Sequence, residues 1–390
     1  MAAHTQMAKL GTSLLVPWVQ DLAKDKLGVV PERYVRTDQD PVIIPDSASL
    51  PQVPVIDLQK LSSGDSIDSE LQRLHHACKE WGFFQGSPNT SCYSKNAGSF
   101  RCNNSVLNSS ENSTAQRPHL INHGMSDSLL EDVKSGILEF FNLPMDEKKK
   151  FWQVPGVLEG FGQAFVVSEQ QKLEWADAFY MITLPTYLRK PHLFPKLPQP
   201  FRDTLETYSA ETKNLAVRIL NLMAKALGME AKEIDELFND GWQGMRMNYY
   251  PPCPQPELVM GLNPHSDAGA LTLLLQVNEI EGLQIRKDGM WVPVKPLPNA
   301  FVVNIGDTME MVSNGIYRSI EHRGTVNGLK ERISMATFYS PSMDAEIGPA
   351  PSLVTPESPA LFRRISVVEH LKGYFSGELR GKAYLDTMRI

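Results

Sequence analysis

His265-Ser266-Asp267, answered by His322 and then by Arg332-Ile333-Ser334, is the stretch on which the reading of this chain turns. From Asp267 to His322 is 55 residues (322 − 267), and Arg332 lies ten beyond (332 − 322). On an extended strand side chains alternate faces, so His265 and Asp267 point one way together, and so do Arg332 and Ser334. Two neutral imidazoles and one carboxylate form a facial triad that leaves positions open on a non-haem iron. With Fe(II) the set keeps one positive charge, which suits an anionic chelator such as a 2-oxo acid and leaves a position for O2. The planar fork of Arg332 suits the far carboxylate of that chelator, with the Ser334 hydroxyl as a second donor.

From Met245 onward β-signals dominate: 245–250, 271–276, 301–304, 316–323 and 333–339, separated by Gly, Pro and Asn turns. Such spacing implies a sandwich or jelly roll, whose open mouth could gather His265, Asp267, His322 and Arg332. Alternation adds Arg246, Asn248 and Tyr250 to one face. The earlier part of the chain reads as helical. Leu71, Leu74, Ala77 and Cys78 recur at helical spacing, and Ser126 is placed to N-cap the run from Leu129 to Ile137. Between Phe201 and Leu227, the stripe Leu205, Tyr208, Leu215, Ile219, Leu222 and Ala226 predicts a long helix with one buried face. The stretch from Val367 to Met388 is expected to add a helix that leans over the mouth. Trp175, Phe179 and Phe338 are candidates for an apolar wall around a ring-bearing substrate, although aromatics at such spacing are more often simply core.

The chain has 390 residues, a formal net charge of −7 and 42% hydrophobic residues. That balance argues against a nucleic-acid partner, which calls for a basic stripe. The short run Lys148-Lys149-Lys150 reads as a solvated helix end. No apolar run is long enough for a membrane span and no signal-peptide pattern opens the chain, so the cytoplasm is the expected location and no obligate protein partner is evident. Four cysteines without CxxC spacing imply neither a zinc framework nor a disulfide scaffold. His75 and His76 are neighbours on a predicted helix and cannot share a ligand face. His123, His192 and His370 have no partner at ligand spacing.

The order His-x-Asp, distant His, Arg-x-Ser resembles the plant 2-oxoglutarate/Fe(II)-dependent dioxygenases, which are related to isopenicillin N synthase. Further similar stretches are Pro54-Val55-Ile56-Asp57-Leu58, the run 77–85 (Ala-Cys-Lys-Glu-Trp-Gly-Phe-Phe-Gln), Ile121-Asn122-His123-Gly124, Glu159-Gly160-Phe161-Gly162-Gln163, Leu173-Glu174-Trp175-Ala176-Asp177, the run 248–254 and Asn304-Ile305-Gly306-Asp307. The Met-Arg-Met-Asn-Tyr-Tyr run at 245–250, residues 189–194 and the terminal Met388-Arg389-Ile390 are most similar to the senescence-related and alkaloid O-demethylase branch. The resemblance implies a mainly β fold with flanking helices, a double-stranded β-helix (jelly roll) core, a helical N-terminal part and a C-terminal helix. It implies Fe(II) on His265, Asp267 and His322, 2-oxoglutarate held by Arg332 and Ser334 with Tyr250 and Asn248 nearby, O2 as oxidant and ascorbate as reductant. The implied reaction is hydroxylation or oxidative O-demethylation of a small aromatic or alkaloid-like metabolite, with release of succinate and CO2. Two alternatives stay open: an iron oxidase that dispenses with 2-oxoglutarate, and an inactive or poorly folding paralogue.

The second alternative rests on residues 86–119, 34 positions (119 − 86 + 1) that depart from the family pattern. They are crowded with Ser and Asn, include Cys92 and Cys102, and show no helical or strand period, so disorder is expected. The Asn-x-Ser/Thr matches at Asn89, Asn103, Asn108 and Asn112 read as products of composition. Non-native coding such as a retained intron would lower folding yield more than it alters chemistry. The expected organisation is an extension over 1–52, a mostly helical dioxygenase region over 53–235 containing the insert, a catalytic jelly roll over 240–341 and a helical extension over 342–390.

Overall fold

The computed structural model describes residues 14–24, 28–37, 51–61, 67–86, 123–154 and 156–390. Twelve strands form two sheets: β1 Val55–Ile56, β2 Phe83–Gly86, β3 Gly160–Gly162, β4 Asp177–Leu184, β5 Trp242–Tyr250, β6 Leu262–His265, β7 Leu271–Gln276, β8 Leu283–Lys287, β9 Met290–Pro293, β10 Phe301–Ile305, β11 His322–Gly324 and β12 Arg332–Ser340. Eight order as β1-β2-β10-β7-β12-β5-β4-β3, and four as β6-β11-β8-β9. This is the expected jelly roll with flanking helices, and its larger sheet takes strands from both halves of the chain.

Period-two alternation assigns the two faces of that sheet. Met245, Met247, Leu271, Leu273, Leu275, Phe301, Val303, Met335 and Tyr339 share one core with the helix Phe201–Leu227. That helix buries Leu205, Tyr208, Leu215, Ile219 and Met223, each contributing about 1.5–3 kcal/mol by leaving water, while Leu222 and Ala226 pack at its edge. It stops at Gly228, whose φ of 72° is the left-handed C-cap conformation glycine adopts freely. The opposite face carries Arg246, Asn248, Tyr250, Thr272, Asn304, Arg332 and Ser334 towards a cavity bounded on its far side by β6, β8 and β11.

Several local readings hold. Ser126 caps the helix Asp127–Asn142, its Oγ accepting from Leu129 N at 3.2 Å. Cys78 is fully buried in a helical turn and Cys253 in a loop, both as free thiols.

Others are corrected. The first half is not helical throughout, because Asp177–Leu184 is a buried strand of the main sheet. Its sequence is almost continuously apolar, the pattern of a strand covered on both faces, and so has no period to read. Residues 316–323 form strand only from His322, since Ser313 Oγ and Glu310 hold the backbone of Tyr317 and Ser319 in irregular turns. The 367–388 stretch is two helices, Val367–Phe375 and Ala383–Asp386, parted at Ser376. Lys148 is not solvated: only Lys149 and Lys150 pair with Asp146 and Glu147 at the surface, whereas Lys148 Nζ is buried and donates to Phe141 O at 2.9 Å. The insert's expected disorder lies outside the described residues, which stop at Gly86 and resume at His123.

Candidate metal and substrate site

β6 and β11 pair with His265 opposite His322, which sets the two imidazoles 4.2 Å apart between ring centres. Asp267 lies just past the end of β6. Its Oδ1 is 3.5 Å from His265 Nε2 and 3.7 Å from His322 Nε2. One ligand atom from each residue falls within 4.8 Å of the others, and all three residues are buried. No other group of three such side chains comes together among the described residues.

The partners of these groups settle which atoms remain available. His265 Nδ1 lies 2.7 Å from Asn263 O and His322 Nδ1 lies 3.1 Å from Ile320 O. A carbonyl only accepts, so both Nδ1 atoms carry the proton and both Nε2 lone pairs face the carboxylate. Asp267 Oδ2 accepts from Thr272 Oγ1 at 2.6 Å and from Asn304 Nδ2 at 2.8 Å, which leaves Oδ1 for the shared point. Burial works against the Asp267 charge, while the charge that His322 and His265 carry when protonated and the Thr272 hydroxyl favour it and hold the carboxyl well below its ordinary range. Burial, reinforced by the neighbouring His265, lowers the His322 imidazole to about 4 and keeps it neutral at pH 7. Two outward nitrogen lone pairs and an ionised oxygen are a donor set suited to a divalent cation such as Fe(II).

None of the rival histidines joins a group of three possible ligands among the described residues; His76 and His192 are exposed, and the other three are engaged elsewhere. His75 contacts the Tyr317 hydroxyl, His123 bonds to Asn299 O and His370 to Ala268 O.

On the large sheet, Arg332 pairs in register with Tyr250 and Ser334 with Asn248. Arg332 is 2% exposed; its Nη2 donates to Gln276 Oε1 at 3.0 Å, its guanidinium lies 5.0 Å from the Tyr250 ring centre, and its Nε has no partner in the protein. Gly282 makes this position possible, since a Cβ there would press into the Arg332 side chain. Asn248 Oδ1 is likewise buried without a partner. These four residues and the three candidate ligands line one polar chamber. Unpaired buried polar atoms beside an arginine are what a chelating dicarboxylate such as 2-oxoglutarate would satisfy.

A second chamber meets the first at Arg246, His265, Asp267 and Phe338. Phe165, Tyr180, Trp242, Tyr374 and Phe375 give it aromatic walls. Of the three aromatic candidates, Phe338 lines both chambers. Trp175 instead packs edge-on against Tyr34 and donates to Pro251 O, and Phe179 stacks on Phe140 at 4.8 Å within the helix-facing core. The odd-numbered positions of β4 face the helices, so Phe179 is directed away while Tyr180 reaches the chamber.

The C-terminal helices close this chamber. Tyr374 donates to Ser266 O at 2.8 Å, and Gly381 bridges His265 through its N–H to Pro264 O. Glu310, 3% exposed, anchors the segment by accepting from Lys382 at 2.7 Å and Arg389 at 2.8 Å. Sequence reasoning missed Thr272, Asn304, Tyr180 and Trp242. Extending the Arg246–Tyr250 alternation two steps back reaches Trp242, whereas no strand or helix period relates Thr272, five residues on, or Asn304, 37 residues on, to Asp267.

Comparison with known proteins matches this geometry. Residues 241–341 fit the family model of the 2OG-Fe(II) oxygenase superfamily. Residues 53–87 and 119–197 fit the model described as the N-terminal region of non-haem dioxygenases in morphine synthesis. The oxoglutarate-dependent flavonoid 7-O-demethylase 1 of Ocimum basilicum is 53% identical over 382 residues, covering 98% of this chain and 93% of the relative. Thebaine 6-O-demethylase of Papaver somniferum is 49% identical over 398 residues, covering 99% of each. The crystal structure of JOX2 in complex with 2OG, Fe and JA superposes with a TM-score of 0.79 at 32% identity, covering 96% of this chain and 98% of that one.

Proposed function

This chain belongs to the 2OG-Fe(II) oxygenase superfamily and is a dioxygenase dependent on Fe(II) and 2-oxoglutarate, and on that premise we propose that it oxidises a small, ring-bearing specialised metabolite by hydroxylation or oxidative O-demethylation. The observation that carries the reading is the meeting of a polar chamber and an aromatic chamber at His265 and Asp267. When bound, iron and 2-oxoglutarate supply O2 activation coupled to release of succinate and CO2.

The residues of the chain do the rest. His265, Asp267 and His322 hold the metal with their Nε2, Oδ1 and Nε2 atoms, and Thr272 and Asn304 keep the carboxylate turned. Arg332 and Ser334 take the far carboxylate of 2-oxoglutarate, with Tyr250 and Asn248 bounding it. Phe165, Tyr180, Phe338 and Phe375 seat the substrate rings and exclude water, which keeps the oxidising step from being spent on solvent. Ascorbate as reductant and a cytoplasmic location belong to the same proposal. Among the described residues no helix is long and apolar enough to cross a membrane.

The test is a screen of methoxylated flavonoids and alkaloids with succinate, O2 and formaldehyde all measured. Succinate and formaldehyde formed together indicate O-demethylation, and succinate with a hydroxylated product indicates hydroxylation. Product formed without succinate would overturn the coupling to 2-oxoglutarate.

A further inference from the structure

Trp242 and Ser340 face each other across the ladder between β5 and β12, and both line the aromatic chamber. Both bury a polar atom with no hydrogen-bond partner in the protein, the indole Nε1 and the hydroxyl Oγ. Trp242 is 4% exposed and Ser340 1%. A buried donor left unpaired costs about 1–3 kcal/mol, and a buried indole N–H ordinarily finds a partner. Trp242 packs in a hydrophobic cluster with Ile182, Ala268, Met311 and Leu371. Gly269, also on the chamber wall, has no side chain to cover Ser340 Oγ, and a Cβ there would sit 2.8 Å from it.

The ladder also gives these donors a place relative to the chemistry. Arg332, Ser334, Ala336, Phe338 and Ser340 alternate onto one face of β12, opposite Tyr250, Asn248, Arg246, Gly244 and Trp242 on β5. That row begins at the 2-oxoglutarate end and finishes at Trp242 and Ser340. Phe338 marks the junction of the chambers, and Ser340 lies two residues on, roughly 7 Å along the strand.

We propose that Trp242 and Ser340 are specificity-determining residues whose N–H and O–H groups receive a ring carbonyl of the substrate, fixing which end of the ring system enters first and which carbon faces the metal ligands. Two neutral donors at the far end of the chamber suit a neutral acceptor such as a carbonyl oxygen, which satisfies both without bringing in a charge. The inference rests on the reading of the aromatic chamber as the seat of a ring-bearing substrate.

The test compares 7-methoxyflavanone with 7-methoxyflavan, which differ only in the ring carbonyl. Their dissociation constants are measured by calorimetry on the full chain with Fe(II) and 2-oxoglutarate under argon, so that no turnover occurs. The wild-type protein is expected to bind the carbonyl compound about 5- to 10-fold more tightly, and Trp242→Phe and Ser340→Ala each to reduce that preference about 3-fold or more. Free Ser340→Ala protein is expected to keep or raise its melting temperature, because an unpaired donor is removed. Equal binding of the two probes by wild type, or a preference unchanged in both variants, overturns the inference and leaves the ring-bearing substrate standing. A marked fall in the melting temperature of Ser340→Ala assigns the hydroxyl a structural role and also overturns it. Binding of neither probe overturns the inference for flavonoid rings and leaves the alkaloids of the screen as the ring-bearing substrates to which the proposed function then points.

Discussion

Asn304 holds Asp267: from β10 of the large sheet its Nδ2 donates at 2.8 Å to Oδ2 of Asp267, which lies just past β6 of the small sheet, leaving Oδ1 as the oxygen directed at the two imidazoles. Outer partners of this kind orient a ligand and set its basicity, and losing one costs about 10- to 100-fold in metal affinity or activity. Asn304→Ala is therefore expected to weaken Fe(II) binding by about that factor, with near-normal folding. Anaerobic Fe(II) titration checks it, and an unchanged affinity would remove Asn304 from the site.

Arg332 presents a planar fork whose Nε has no partner in the protein. Arg332→Lys keeps the charge and loses the bidentate geometry, so the KM for 2-oxoglutarate is expected to rise about 10-fold or more while Fe(II) affinity changes little. Steady-state kinetics with varied 2-oxoglutarate give the answer.

Gly244 lies on the chamber face of β5, and a Cβ there would meet the Tyr180 ring. Gly244→Ala is expected to displace that ring into the aromatic chamber. Substrate binding should fall several-fold while 2-oxoglutarate binding in the neighbouring chamber stays unchanged. Paired calorimetric titrations separate the two effects.

His370 is buried and its Nε2–H donates to Ala268 O; burial lowers the imidazole to about 4. The unfolded chain, with an ordinary value near 6.5, binds a proton sooner as pH falls. Stability contributed by the neutral ring is therefore full above pH 6.5 and lost progressively as pH drops towards 4, on the order of 3 kcal/mol in all. The difference in unfolding free energy between wild type and His370→Gln should shrink over that window. A pH-independent difference would mean that His370 does not titrate with unfolding.

Residues 88–118 fall between the two stretches that match the N-terminal family model. β2, between β1 and β10 of the large sheet, ends at Gly86, which pairs with Ile56 and Phe301, two positions before that segment begins. Deleting 88–118 is expected to raise soluble yield and leave turnover per bound iron unchanged. Equal yields from the two chains would end the idea that the segment burdens folding.

Much of the site is legible because its logic is local. Strand alternation alone puts Arg332 with Ser334 and Arg246 with Asn248 and Tyr250, and the 201–227 stripe declares its buried face through helical period. β4 escaped because a strand covered on both faces carries no alternation, and Trp175 and Phe179 were nominated on residue type, which does not tell which side of a sheet an aromatic will occupy.

Residue order and backbone period are enough to place the chain in its family, to name the donor types for iron and 2-oxoglutarate, and to tell which residues of each strand share a face, since side-chain direction follows from that period. Only the tertiary structure decided that Asn304 and Thr272 turn Asp267, that the 367–386 helices and their Glu310 anchor close the chamber, and that Trp242 meets Ser340 at its far end. Apart from Thr272, five residues beyond Asp267, these relations join residues 37 positions apart (Asn304 to Asp267) or more, 98 (340 − 242) for Trp242 and Ser340, and their pairing is set by sheet register and by the packing of a common core rather than by any property of the segments alone.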